Sequence, residues 1–204
     1  MENGGRRCAP ACTKMILDHL LPDMVITKDQ AEDLSGFREG RSTWAAQHLL
    51  SLDTLGLEVG WIQAEDLPAF ATDPDAFMLT QFNGNVEQYE AYAKTSNVSL
   101  ESARVKEYLE RRLPFDQREA TQHDIASLAL GGYVVRLELN GKALANQPGD
   151  VGHAVVVSGF NNTTIRLENP DGQYGSKPKQ LFPWEKLDTA RAGYRALQYY
   201  KVRP

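Results

Sequence analysis

Cysteine is scarce in this chain of 204 residues, where only Cys8 and Cys12 occur. Four positions apart on a predicted helix, they share a face, yet that geometry rarely suits a disulfide, whose Cβ atoms must lie ~3.5–4.5 Å apart. A disulfide framework is therefore excluded, and the pair points to a reducing compartment or to one reactive thiol beside one buried one. Long apolar runs are also missing. The longest, around Ala154–Val157, is strand-sized and falls far short of the ~18 residues that a spanning helix needs. Positive charge is not in excess, since 22 Lys and Arg stand against 27 Asp and Glu for a formal net charge of −5. With no basic stripe interleaved with aromatics, no nucleic-acid partner is expected. The first seven residues hold two arginines but no apolar stretch, so they do not read as a signal peptide. The expected setting is cytoplasmic, with export as an effector or loss of a leader as alternatives. No Cys-x-x-Cys or His-Glu-x-x-His occurs, and Asp150, Glu138 and Glu168 have no metal-binding spacing to the histidines, so neither metal nor other cofactor is expected.

The chain is long enough for one domain with a sizeable core. Its texture changes from helix to strand along its length. Pro10 sits near the start of a first helix, where its missing N–H costs nothing, and Ala11–Leu21 continues it. A second helix is predicted over Lys28–Leu34 with Gly36 as its stop. A third, Thr43–Leu55, has Ser42 as its N-cap and Gly56 as its end. Leu57–Gln63 reads as a strand. The charged stretch Asp66–Arg112 is helical, punctuated by Pro68, Pro74, Gly84 and Ser99, and Pro114 terminates it. After a helix over Thr121–Leu130, strands are predicted at Tyr133–Leu139, His153–Phe160, Thr163–Asn169 and Tyr194–Val202. Asn161-Asn162 forms a hairpin turn, and a helix near Pro183–Arg191 carries Trp184 as a packing anchor. Helices followed by an antiparallel sheet give an α+β fold class. No pattern sets an oligomeric state.

Three polar residues stand out at the ends of these elements. Cys8 opens the first helix in Arg-Arg-Cys-Ala-Pro-Ala-Cys, where the helix dipole and unpaired N–H groups stabilise a thiolate; Cys12, one turn further in, cannot use those donors as well. His153 opens the strand Gly-His-Ala-Val-Val-Val, with Gly152 allowing close approach of another backbone. His19, His48 and His123 are weaker candidates, set within amphipathic helices and expected to face solvent or pack. Asn169 closes the next strand in Leu-Glu-Asn-Pro-Asp-Gly, where a side-chain carbonyl can hold an imidazole in the tautomer that pairs with a thiol. Asp171 is the fallback orienter. His153 follows Cys8 by 145 residues, within the ~130–150-residue interval of papain-type enzymes, and Asn169 follows 16 residues later.

These two blocks resemble the bacteriocin-processing, double-glycine leader peptidase family of papain-fold cysteine peptidases. The family's first motif is Asp-Cys-Gly-x-Ala-x-x-x-Met plus an aliphatic residue, matched by Arg7-Cys8-Ala9-Pro10-Ala11 through Met15-Ile16. Its second, His-x-Val-Val before a strand ending in Asp-Pro, is matched by His153-Ala154-Val155-Val156 and Asn169-Pro170. The resemblance covers Arg6–Leu21 and Gly131–Tyr200. It implies a papain-like fold in which an N-terminal helical part packs on a C-terminal antiparallel sheet, as a single domain over 1–204 with a helical insertion at about 66–113. It also implies Cys8 as nucleophile, His153 as base and Asn169 as orienter. Arg7 and Ala9 replace the usual Asp and Gly, and Asn169 replaces Asp, as in papain itself. Six residues before Cys8, where the family and papain place a glutamine that donates to the oxyanion, this chain has Glu2. An ionised carboxylate there repels an oxyanion, so Glu2 or its neighbour Asn3 is the candidate for completing the oxyanion hole. Gly4-Gly5 is expected to be a flexible arm.

The function expected is a cysteine peptidase acting on a peptide or protein substrate, with small residues at the cleavage point in the family. The alternatives are an amide-bond acyltransferase on the same fold and a catalytically impaired papain-like binding module.

Overall fold

Helix α1 (Cys8–Leu20) starts without a side-chain cap and places Cys8, Ala9, Ala11, Cys12, Ile16 and Leu17 in the interior. The structure, a computed structural model, describes residues 7–170 and 180–204. Next come α2 (Lys28–Ser35), held by a Thr27 capping box and stopped by a left-handed Gly36, and α3 (Ala45–Thr54). Ser42 is not the cap of α3. Trp44 takes that position without a side-chain hydrogen bond, because residues 42–44 run as a non-helical lead-in whose Ser42 N–H is bonded to the Thr95 carbonyl.

Strand β1 (Leu57–Gln63) is followed by α4 (Leu67–Thr72), α5 (Pro74–Gln81), α6 (Val86–Ala93) and α7 (Val98–Glu110). The polar punctuation of this stretch is cap chemistry. Asp66, Asp73, Asn85 and Asn97 each accept a backbone N–H three residues on, which lets four short helices form where one long one could not. Their buried side chains, among them Leu67, Phe70, Met78, Val105 and Tyr108, join the same core as α1 and α3.

The second half supplies β2 (Phe115–Gln117), α8 (Gln122–Leu130), β3 (Val134–Asn140), α9 (Gly141–Leu144), β4 (Gly152–Phe160), β5 (Thr164–Glu168), β6 (Gln180–Pro183), α10 (Trp184–Ala190) and β7 (Leu197–Val202). The described strands form one sheet in the order β2-β1-β7-β3-β4-β5-β6. The α+β class holds, but the sheet is not wholly antiparallel. The pair β1 and β2 is parallel, and β1 comes from the helical half of the chain, docked on β7 with Val59 opposite Tyr200.

Alternation along the strands sends side chains to two cores, one on each face. On β3, Val134 belongs to the core with α1, α3 and α4–α7, while Val135, Leu137 and Leu139 belong to the core with α8 and α10. Trp184 packs on this second core and donates its indole N–H to the Asn161 carbonyl at 2.9 Å, as an anchor should. Among the described residues, no helix is long and apolar enough to cross a membrane.

Candidate active site

The start of α1 lies on the sheet at β4, and this contact brings the two halves of the sequence pattern together. Cys8 and His153 line one open cleft of about 740 Å³. His153 is the neighbour whose hydrogen-bonding side chain and charge hold the Cys8 thiol down, and its Nε2 lies 2.6 Å from Asn169 Oδ1. A side-chain carbonyl can only accept, so Nε2 carries the proton of that bond and Nδ1 is left for the sulfur. Asn169 is itself oriented, since its Nδ2 donates to Gln180 Oε1 at 3.3 Å. The structure therefore brings together Cys8, His153 and Asn169. Glu2, Asn3, Gly4-Gly5 and Asp171 lie outside the described residues.

Electrostatics separate the two cysteines. Burial alone pushes the Cys8 thiol up. The hydrogen bond and charge of His153, the backbone N–H of Ala154 and the charge of Arg136 act against it, and the thiol ends below its ordinary value. Cys12, fully buried, is pushed up to about 12 by that burial, which Arg136 only partly offsets. Both thiols are free.

Near the thiol, Pro10 has no N–H and the Ala11 N–H bonds the Arg7 carbonyl at 3.2 Å. Cys8 and Ala9, the first two residues of α1, carry N–H groups that have no partner within the helix. Arg7 places its guanidinium over the Phe37 ring and 3.3 Å from Glu32.

Sequence reasoning did not single out Arg136, Gln198 or Gln180. Arg136 is 3 % exposed, and its Nη1 donates to Gln198 Oε1 at 2.7 Å. Gln198 Nε2 in turn donates to Glu138 Oε1 at 3.2 Å, and Glu138 lies 3.6 Å from the guanidinium. The signal was available in Val-Val-Arg-Leu-Glu-Leu, since period-two alternation places Arg136 and Glu138 on the face of Val134, toward α1.

Gly152 does not serve a backbone approach: a Cβ there would meet only the Tyr194 ring, at 3.6 Å. The glycine crowded against His153 is Gly141, where a Cβ would lie 3.0 Å from the His153 Cβ, so it is Gly141 that leaves room for the imidazole. The other histidines stay outside the cleft. His19 and His123 are exposed, while His48 is buried, with its Nδ1 2.8 Å from Thr13 Oγ1. Among the described residues no cluster of His, Cys, Asp or Glu could hold a metal ion. Comparison with protein-family models, with curated proteins and with solved structures finds no match for this chain.

Proposed function

We propose that this chain is a cysteine peptidase, built as a single papain-like domain in which α4–α7 are an insertion. The observation that carries this is the bridging position of His153, between the thiol of Cys8 and the side-chain carbonyl of Asn169, on a cleft large enough for a peptide. In the resting site Nδ1 of His153 takes the thiol proton, giving a thiolate beside an imidazolium. The thiolate attacks the carbonyl carbon of the scissile amide, and the resulting oxyanion is met by backbone N–H groups at the start of α1. The C–N bond then breaks as the imidazolium returns its proton to the leaving amine, leaving a thioester on Cys8. His153 next takes a proton from water, whose oxygen attacks the thioester carbonyl and releases the acid and the thiol. Asn169, held by Gln180, keeps the ring in the tautomer both steps need.

Glu2, in place of the family's glutamine, favours a second role, a binding module that kept the cleft but not the turnover. Incubation with a mixed peptide library, read by mass spectrometry, separates the two. A peptidase yields new termini with the native chain and none with Cys8→Ala; a library that stays intact with both proteins sinks the hydrolytic assignment.

A further inference from the structure

A buried cation lies beside the thiol with little opposite charge to match it. Arg136 sits on the face of β3 that packs toward α1, and its guanidinium stays charged despite its burial. A buried ion is costly unless a counter-charge and hydrogen bonds replace the water it lost. Gln198 supplies only a neutral acceptor, at 2.7 Å. Among the described residues Glu138 is the sole carboxylate in ion-pairing range, at 3.6 Å from Nη1, with its side chain still 31 % exposed. Arg136 Nε has no hydrogen-bond partner among the described residues.

The other ionisable groups close to the guanidinium are neutral near pH 7. Burial pushes Cys12 up to about 12 and Tyr200 well above the usual phenol range. Burial, with the Arg136 charge acting the same way, holds His48 well below the usual imidazole range. What remains is Cys8, which lines the same cleft as Arg136 and Glu138 and whose thiol the Arg136 charge helps to lower. Few other charges face this sulfur. His153 comes from β4, and α2 brings Glu32, which already pairs with Arg7. On the cleft itself, Arg41 and Glu65 are exposed, and the Tyr92 and Tyr194 hydroxyls are raised and neutral.

Building on the assignment of Cys8 as nucleophile, we propose that Arg136 is a positioning residue acting through the sulfur: its buried charge takes the Cys8 thiolate as a second counter-ion and keeps it ionised where His153 is neutral. The guanidinium does not titrate in the working range, so its effect persists after the imidazolium has lost its proton. It favours the sulfur both as the attacking thiolate and as the leaving group of the thioester. Glu138 opposes this, since a carboxylate beside Arg136 cancels part of the field at the sulfur.

The test reads iodoacetamide alkylation of Cys8 against pH by mass spectrometry, with no substrate present. In His153→Ala, where the ring contributes nothing, the Cys8 midpoint is expected to stay below that of Cys12. Adding Arg136→Met to that chain should raise the midpoint by ~1 pH unit or more, whereas Arg136→Lys, which keeps the charge, should raise it less. In the native chain, Glu138→Gln removes the opposing charge, keeps an acceptor for Gln198, and should move the Cys8 midpoint down. A merely structural Arg136 predicts that Met and Lys behave alike, or that Glu138→Gln leaves the midpoint in place, and either result overturns the proposal. Should Arg136→Met fail to fold by circular dichroism, Glu138→Gln decides: a lower midpoint supports the role, and an unchanged or higher one overturns it. The expected shifts in a native chain that cleaves no peptide support the role of Arg136 and overturn the hydrolytic assignment instead.

Discussion

The first and second turns of α1 carry the same side chain in opposite states. Cys8 sits at 9 % exposure and Cys12 at 0 %, so both thiols are withdrawn from water and burial works against a thiolate in each. Only Cys8 meets His153 and the Ala154 N–H, and it is lowered; Cys12 has the partial help of Arg136 alone and is pushed up to about 12. Position on the helix is thus not the whole of the difference. The helix start exposes one sulfur to the cleft, and the strand that arrives there from the far end of the sequence decides its protonation.

The largest break in this contrast comes from His153→Ala. It removes both the hydrogen bond and the charge, leaving only the Ala154 N–H and the Arg136 charge to offset the burial of Cys8, and turnover of any cleaved peptide should fall ~10²–10⁴-fold. Site-resolved alkylation checks the cause, since Cys8 labelling at neutral pH should drop with it while Cys12 stays unlabelled.

Arg136→Met is expected to act on both thiols and on stability. Without the buried cation, the Cys8 thiol rises, so its alkylation midpoint moves to higher pH. Glu138 and Gln198 also lose their partner, and unfolding free energy should fall by about 2–4 kcal/mol, less than for a fully buried pair because Glu138 keeps some solvent. Denaturant titration and the alkylation profile together check it, and a shift in stability with no shift in the Cys8 profile would make Arg136 structural only.

The smallest effect is expected from Cys12→Ala. It should leave Cys8 alkylation unchanged within a factor of ~2 and cost about 1–2 kcal/mol through the small cavity beneath the site. A large loss of Cys8 reactivity would show that the two turns are not independent.

The same contrast marks what the sequence could carry. Cys8, His153 and Asn169 were legible because each sits at the end of an element with a strong periodic signal, and β1 matches its predicted bounds at Leu57–Gln63. Local signals failed where long-range contacts decide. Ser42 looked like a cap, but its backbone is bonded across to Thr95. Strand β2 is three residues long and exists only by pairing with β1, so Phe115–Gln117 carried no pattern of its own, and the parallel pairing could not be foreseen. Gln180 and Gln198 are single polar residues in strand-like stretches, and what makes them matter is the partner across the sheet or the loop, Asn169 in one case and Arg136 in the other.

The most direct test of the account is the pH dependence of iodoacetamide alkylation of the native chain, with Cys8 and Cys12 resolved by mass spectrometry. The expected Cys8 midpoint lies below the ordinary thiol value of 9.0 and moves up in His153→Ala, while Cys12 stays unlabelled until the pH approaches about 12 or the chain unfolds. A Cys8 midpoint at or above 9.0 that His153→Ala leaves in place, or equal labelling of both cysteines at neutral pH, would contradict it.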